Sequence, residues 1–275
     1  MTISVLGATG KTGRRVVERL RADGAQVRAA SRSGEVRFDW AEPAGWGAVL
    51  DGARAVYLVA PEDPAPIPPF VARAVAAGVR RFVVLSGRGL EHTTQFGRGM
   101  AVAEDTVRGS GAEWTIMRAN NFDQNFDEDL WHAPLLAGRL ALPIGAIGEP
   151  FIDVADIAEV AAALLTRDGH DGKVYELSGP RALTFAQAAA AIAACSGRTI
   201  TYQELTPDEY RDELLAEGWP QEGAHELNAL FALLRAGHTS APTDTVRHLL
   251  GRPATDFETY VDRVWSAPVG AAGPR

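Results

Sequence analysis

The chain has 275 residues, 46% hydrophobic and 23% charged, with a formal net charge of -8. An acidic balance excludes a phosphate-backbone binder, which needs a basic face, and no apolar run reaches the ~18 residues that span a bilayer. The six histidines lack metal-ligand spacing, and one cysteine, Cys195, cannot form an internal disulfide. With a start straight into "TISVLGATG" and no leader pattern, this predicts a cytoplasmic protein.

In chain order, "ISVLG" (3–7) predicts a strand and "GRRVVERLRADG" an amphipathic helix stopped at Gly24. "QVRAAS" and "AVYLVA" (55–60) follow as strands, then "FVARAVAAGV" as a helix and "RFVVLS" (81–86) as a strand. A helix holding "FGRGMAVAE" comes next, then the strand "WTIMR" (114–118), the helix "DIAEVAAALLTR" and a late strand, "KVYELSG". This alternation predicts an α/β fold, a Rossmann doubly wound parallel sheet with helices on both faces. Residues 123–148 read as irregular and 181–250 as mostly helical, with a lid around "GHTSAPTD". The expected domains are 1–122 plus 149–180 for the sheet domain, and 123–148 plus 181–265 for a smaller second region. A flexible tail is expected at 266–275.

Gly7, Gly10 and Gly13 stand between the first strand and the first helix as "GATGKTG". The spacing lets backbone pass close to a pyrophosphate seated on the helix N-terminus. At the end of the second strand an acidic residue would hold a ribose 2′-hydroxyl. The segment is instead "AASRSG", where Ser31, Arg32 and Ser33 offer a guanidinium and hydroxyls, with Lys11 and Arg14 nearby. That is chemistry for a 2′-phosphate, so NADPH is the expected cofactor. Asp39 in "RFDW" suits either an adenine amino group or a capped surface turn.

These segments, with "VYLVAPED", "RRFVVLSGRGLE", "WTIMRANNFDQNF", "FIDVADIAEVAAALL" and "DTVRHLLGRPATDFETYV", occur in the order found in NmrA-like atypical short-chain dehydrogenases. The chain resembles the branch that holds the ergot-alkaloid imine reductases. The resemblance implies that Gly7, Thr9, Gly10, Lys11, Thr12 and Gly13 bind pyrophosphate and that Arg32 binds the 2′-phosphate. It also implies that Ala60 and Pro61 line the cofactor, that Ser86 and Gly87 lie beneath the nicotinamide ribose, and that Asn120, Asn121 and Phe122 flank the nicotinamide. Phe126, Trp131 and the region of Met100 would face the substrate.

The departures concern catalysis. Beside the family pattern Y-G-x-S-K-x-x-x-E, the stretch "FGRGMAVAE" keeps Gly97 and Glu104, with Gly99 where Ser is usual. Phe96 replaces Tyr, Met100 replaces Lys, and Arg88 stands near the position of the catalytic Ser. The three groups that protonate and hold a substrate carbonyl are therefore absent. Phe96, Met100, Ala103 and Val107 also recur at helical spacing, as an ordinary core stripe does.

A missing general acid costs about 10²–10⁴-fold in rate on a simple ketone. The cost disappears for an iminium, which carries its own charge, and for an aromatic ketone with a neighbouring phenol; a quinone is a milder case. A pocket of Phe96, Met100, Asn121, Phe122, Phe126 and Trp131 would suit a flat aromatic ligand. The expectation is an NADPH-dependent ketoreductase of a polycyclic aromatic or quinone-type natural product such as an angucyclinone, with a small aromatic substrate and neither nucleic acid, membrane nor metal as partner. An alkaloid-type imine reductase and a non-catalytic NADP-binding redox sensor are the alternatives.

Overall fold

A computed structural model of the chain describes residues 1–266. All of the expected tail but Ser266 lies outside the described residues. The chain divides into two compact units. The first holds Met1–Asn120, Val154–Ser178 and Thr243–Pro253; the second holds Asn121–Asp153, Gly179–Pro242 and the residues from Ala254 onward.

The first unit opens with β1 (Thr2–Leu6), α1 (Lys11–Ala22), β2 (Gln26–Ser31), a short β3 (Val36–Arg37) and α2 (Trp46–Leu50). It continues with β4 (Ala53–Val59), α3 (Ile67–Ala76), β5 (Arg81–Gly87), α4 (Arg98–Arg108) and β6 (Glu113–Ala119). The chain crosses into the second unit for α5 (His132–Leu136) and β7 (Arg139–Leu142), then returns with α6 (Val154–Thr166) and β8 (Lys173–Leu177). The second unit resumes with α7 (Phe185–Ser196), β9 (Thr201–Glu204), α8 (Pro207–Ala216) and α9 (Gln221–Arg235). Then α10 (Thr245–Leu250) belongs to the first unit and α11 (Phe257–Trp265) to the second.

Seven parallel strands make one sheet in the order β3-β2-β1-β4-β5-β6-β8. β4 and β5 are buried along nearly their whole length, as strands covered on both faces must be. α1 buries Val16, Val17 and Leu20 and gives way to Gly24, whose φ of 79° ends the helix at no steric cost. Strand order reverses between β1 and β4, which puts the ligand crevice of such a sheet at the carboxyl end of β1.

Several boundaries differ from the sequence expectation. Residues 243–253 return to the first unit. Thr243 donates its N–H to Ser178 Oγ (2.7 Å) and its hydroxyl to the Glu176 carbonyl (3.0 Å), and Arg252 pairs with Asp156 (2.8 Å). The same bonds pin the end of "GHTSAPTD", so Thr243 is no part of a free lid. Residues 121–122, 149–153 and 179–180 belong to the second unit, where Phe122 bridges to Ile152 and Glu149 to Leu183. The stretch 123–148 is not irregular throughout. It holds α5 and β7, and β7 pairs in parallel with β9, 62 residues on from Arg139 to Thr201.

α7 begins with a capping box, Thr184 Oγ1 accepting from Gln187 N–H (3.1 Å) and Gln187 Oε1 from Thr184 N–H (2.9 Å). Its apolar side joins a core of Phe126, Trp131, Phe151, Phe185, Phe231 and Phe257. Among the described residues no helix is long and apolar enough to cross a membrane, and no cluster of three or more His, Cys, Asp or Glu could hold a metal ion.

Candidate functional site

The phosphate loop leaves β1 at Gly7, whose φ of 68° favours glycine. Gly10 N–H closes the turn on Gly7 O at 2.8 Å. A Cβ on Gly13 would lie 2.1 Å from that same carbonyl, so only glycine lets α1 approach the loop this closely. α1 has no side-chain cap and no acid in its first turn. Its N-terminal N–H groups and the positive end of its dipole are thus arranged for an anion. This cradle, which a single Cβ would fill, fits the pyrophosphate of NAD(P)H. Thr9 and Gly10 are exposed and Lys11 half-buried at its mouth. Thr12 is 6% exposed.

At the end of β2 one expectation is corrected. Ser31 is buried, and its Oγ accepts from Thr9 Oγ1 at 3.2 Å. A Cβ on Gly34 would sit 2.7 Å from that oxygen, because the β2–β3 turn folds over it. Ser31 therefore ties the turn to the phosphate loop and is not offered to a phosphate. Arg32 and Ser33 are exposed beside it. Asp39 Oδ1 accepts from Ala41 N–H (3.0 Å), the capped-turn role. The neighbouring Phe38, Trp40, Trp46 and Phe70 pack edge to face beneath. Ala60 and Pro61 lie half-buried just past β4.

The end of β5 carries the second correction. Ser86 is 3% exposed and donates its hydroxyl to Glu104 Oε1 at 2.6 Å, so it is a tie between β5 and α4 and not a surface for a ribose. Glu104 also receives Arg118 through Nε (2.9 Å) and Nη2 (2.7 Å), and Arg108 through Nη2 (2.8 Å). Arg118 reaches on to Glu91 (2.9 Å). Burial alone would raise the Glu104 carboxyl, but hydrogen bonds from Arg118 and Ser86, the Arg118 charge and the Arg108 bond outweigh it and hold the group below the usual carboxylate range. The sequence identified Glu104 only as a motif match; its partners lie 18 and 14 residues away on two strands.

Gly87 is the half-buried end of this strand. The Leu90 side chain and the Met100 methyl lie 3.6 and 3.7 Å from where a Gly87 Cβ would be, so Met100 covers the position above it. Phe96 and Met100 are half-buried, while Ala103 and Val107 below them are fully buried. The stripe is core at its lower end and open at its upper end. A Cβ on Gly99 would be 1.9 Å from Pro61 O, so the family's Ser cannot stand here. Arg88 bonds Glu176 (2.7 Å) and Asn120 Oδ1 (3.1 Å). Asn120 is itself buried, its N–H on Leu177 O.

In the second unit, Asn121 gives its backbone N–H (2.9 Å) and side-chain Nδ2 (3.0 Å) to buried Glu149. Phe122 is half-buried. Phe126 and Trp131 are corrected: at 0% and 1% exposed, with rings 4.8 Å apart and further rings of Phe151 and Phe185 around them, they are core and form no open wall. Their aromatic payload is spent on the fold.

A family model described as NAD(P)H-binding matches residues 7–168. An NAD(P)H azoreductase of Xenophilus azovorans is 32% identical over 98% of this chain and 100% of its own. A (4-alkanoyl-5-oxo-2,5-dihydrofuran-3-yl)methyl phosphate reductase of Streptomyces griseus is 34% identical, with 96% of each chain covered. A solved NADPH-dependent quinone oxidoreductase of Escherichia coli superposes with a TM-score of 0.78 at 25% identity, covering 96% of this chain and 100% of the other.

Proposed function

The chain belongs to the NAD(P)H-binding family of NmrA-like atypical short-chain dehydrogenases, and on that premise we propose that it is an NADPH-dependent reductase of a planar, conjugated aromatic acceptor: a quinone, or a polycyclic aromatic ketone with a phenol beside its carbonyl. That it is an NAD(P)H-dependent oxidoreductase follows from its relatives. One observation carries the finer reading. Around Gly87 the side chains are apolar, and the polar groups nearby already have partners, Ser86 on Glu104 and Arg88 on Glu176 and Asn120. A substrate that supplies its own proton, or whose reduced form is stabilised by conjugation, needs none from the protein. The names of the relatives, an azo, a furanone and a quinone reductase, belong to the same class of conjugated acceptors.

Bound NADPH supplies the hydride. The first turn of α1 and the loop at Gly7–Gly10 hold its pyrophosphate, and exposed Arg32 grips the 2′-phosphate, with no acid at the end of β2 to repel it. Leu90 and Met100 exclude water above Gly87, and their apolar surface positions a flat ring for transfer over about 3–3.5 Å. The test is NADPH oxidation with naphthoquinones, with peri-hydroxylated aromatic ketones and with cyclic imines. Turnover of the first two is expected. Turnover of imines alone would make the protein an iminium reductase. Tight NADPH binding with no turnover of anything would make it a nucleotide-sensing regulator.

A further inference from the structure

Tyr57 stands in the middle of β4, beside Val5 on β1 and Val83 on β5. Its neighbours Val56 and Leu58 join the core that holds Phe70 of α3 and Ala103 and Val107 of α4. Side chains alternate along a strand, so Tyr57 points to the opposite face. That face carries α6, which packs on β4, and α1, which packs on α6. Val59, the next residue on it, lies 3.7 Å from where a Gly7 Cβ would be, under the phosphate loop. Tyr57 is 0% exposed, and among the described residues its hydroxyl completes no hydrogen bond. A phenylalanine would fill the same space without leaving a buried hydroxyl unpaired, so the oxygen calls for an explanation. The group it faces is the Thr12 hydroxyl on the first turn of α1: burial pushes the phenol's pKa up, and Thr12 draws it part of the way back. At that turn Arg14 N–H closes on Gly10 O at 3.2 Å, which leaves the N–H groups of Thr12 and Gly13 as orphan donors for a ligand.

We propose that Tyr57 is a positioning residue for the pyrophosphate of NADPH. As a phosphate draws on the first turn of α1, the Tyr57 hydroxyl donates to Thr12 Oγ1 and so fixes where the Thr12 and Gly13 N–H groups stand. Tyr57 touches no part of the cofactor and acts only through Thr12. A bond completed with the ligand in place adds to affinity and not to the stability of the ligand-free fold. That is how a buried hydroxyl can be unpaired in the structure and still serve binding. The proposal rests on NADPH binding at this loop and is indifferent to which acceptor is reduced.

The experiment titrates NADPH and 2′-AMP into wild type, Tyr57→Phe, Thr12→Val, the double variant and Thr12→Ser by calorimetry, with the thermal midpoint of each ligand-free protein. 2′-AMP carries the adenosine and the 2′-phosphate but no pyrophosphate. Tyr57→Phe is expected to bind NADPH about three- to tenfold more weakly, the weight of one hydrogen bond, and 2′-AMP as the wild type does. Its midpoint should be equal or higher, because an unpaired buried hydroxyl has been removed. Thr12→Val should lose as much, the double variant no more than either, since both remove one bond, and Thr12→Ser should keep the wild-type affinity. A lowered midpoint in Tyr57→Phe overturns the proposal, because the hydroxyl then has a partner in the ligand-free protein, such as a resident water. Unchanged NADPH affinity in Tyr57→Phe overturns it, as does an equal loss for 2′-AMP, which would mean a site loosened as a whole. Additive losses in the double variant overturn it too, and so does a wild type that binds no NADPH. A protein that shows the expected pattern but turns over no acceptor ends the reductase reading and leaves Tyr57 in its role.

Discussion

α1 and α4 both begin with a glycine pressed against a backbone carbonyl, Gly13 on Gly7 O and Gly99 on Pro61 O. At α1 the chemistry of the family is done by peptide N–H groups, which any chain with the right glycines supplies. At α4 it is done by side chains, and here those side chains are Phe96 and Met100. The fold places both helices equally well. What differs is that backbone-borne chemistry persists with the geometry, whereas side-chain chemistry can be erased without disturbing it. Close approach at α4 even excludes part of the old machinery, because a serine Cβ at position 99 would lie 1.9 Å from Pro61 O.

The sharpest way to break this comparison is to give each helix the same insult. Gly13→Ala pushes α1 off the loop and takes its N–H groups from the phosphates. Each such charge-assisted bond contributes roughly 1.5–3 kcal/mol, so losing two should weaken NADPH binding about 10²–10⁴-fold in a fluorescence titration. Gly99→Ala overpacks the loop after β4 and should cost about 1–3 kcal/mol of stability, with cofactor affinity little moved. If Gly99→Ala loses as much cofactor affinity as Gly13→Ala, the two helix starts are not functionally different.

Next in size is the carboxylate that fastens α4 to the sheet. Glu104→Ala leaves Arg118, 18% exposed, without its bidentate partner and should destabilise by about 3–5 kcal/mol in denaturant unfolding. The folded carboxyl is held below its unfolded value. Its contribution is therefore complete above the unfolded pKa of ~4.3 and is lost as pH falls through the lower folded value. Glu104→Gln should lack that part of the acid limb. An unchanged limb would mean that other carboxylates carry it.

Cofactor choice is a smaller effect. Arg32→Ala should weaken NADPH binding about 10–100-fold, from the loss of one charge-assisted bond, and leave NADH nearly untouched. Equal losses for both would make Arg32 a plain surface residue.

The parallel sheet, the chain order of its longer strands and helices and the glycine loop were legible because each rests on local signals: apolar runs, helix stops and fixed glycine spacing. Four features were not. Ser31 and Ser86 stand at strand ends where a serine suits a ligand or a tie equally well, and the deciding partners, Thr9 and Glu104, lie 22 and 18 residues away. Phe126 and Trp131 sit in a stretch with no period to announce a core. β7 and β9 are four residues each, too short for alternation to register before their pairing is known. α10 is assigned to the first unit by Thr243 and Arg252, which no local pattern marks.

The smallest expected effect is the most informative about the chemistry. Phe96 is half-buried just ahead of Gly97, where α4 starts. Phe96→Tyr puts back the hydroxyl that the family uses as an acid. If the substrate supplies its own proton, turnover should change by less than about tenfold, because the added acid is not needed. A new hydroxyl on this half-buried ring must find a partner or cost about 1–3 kcal/mol, so a modest fall is the expected direction. Methylating the substrate's neighbouring phenol should act the other way and remove most of the turnover in the wild type. In Phe96→Tyr that methyl ether should regain some rate, since the protein now offers what the substrate has lost. A methyl ether that reacts normally in the wild type would mean that the protein supplies the proton after all. The search would then turn to the charged groups around the end of β5, beginning with Arg88 and His92.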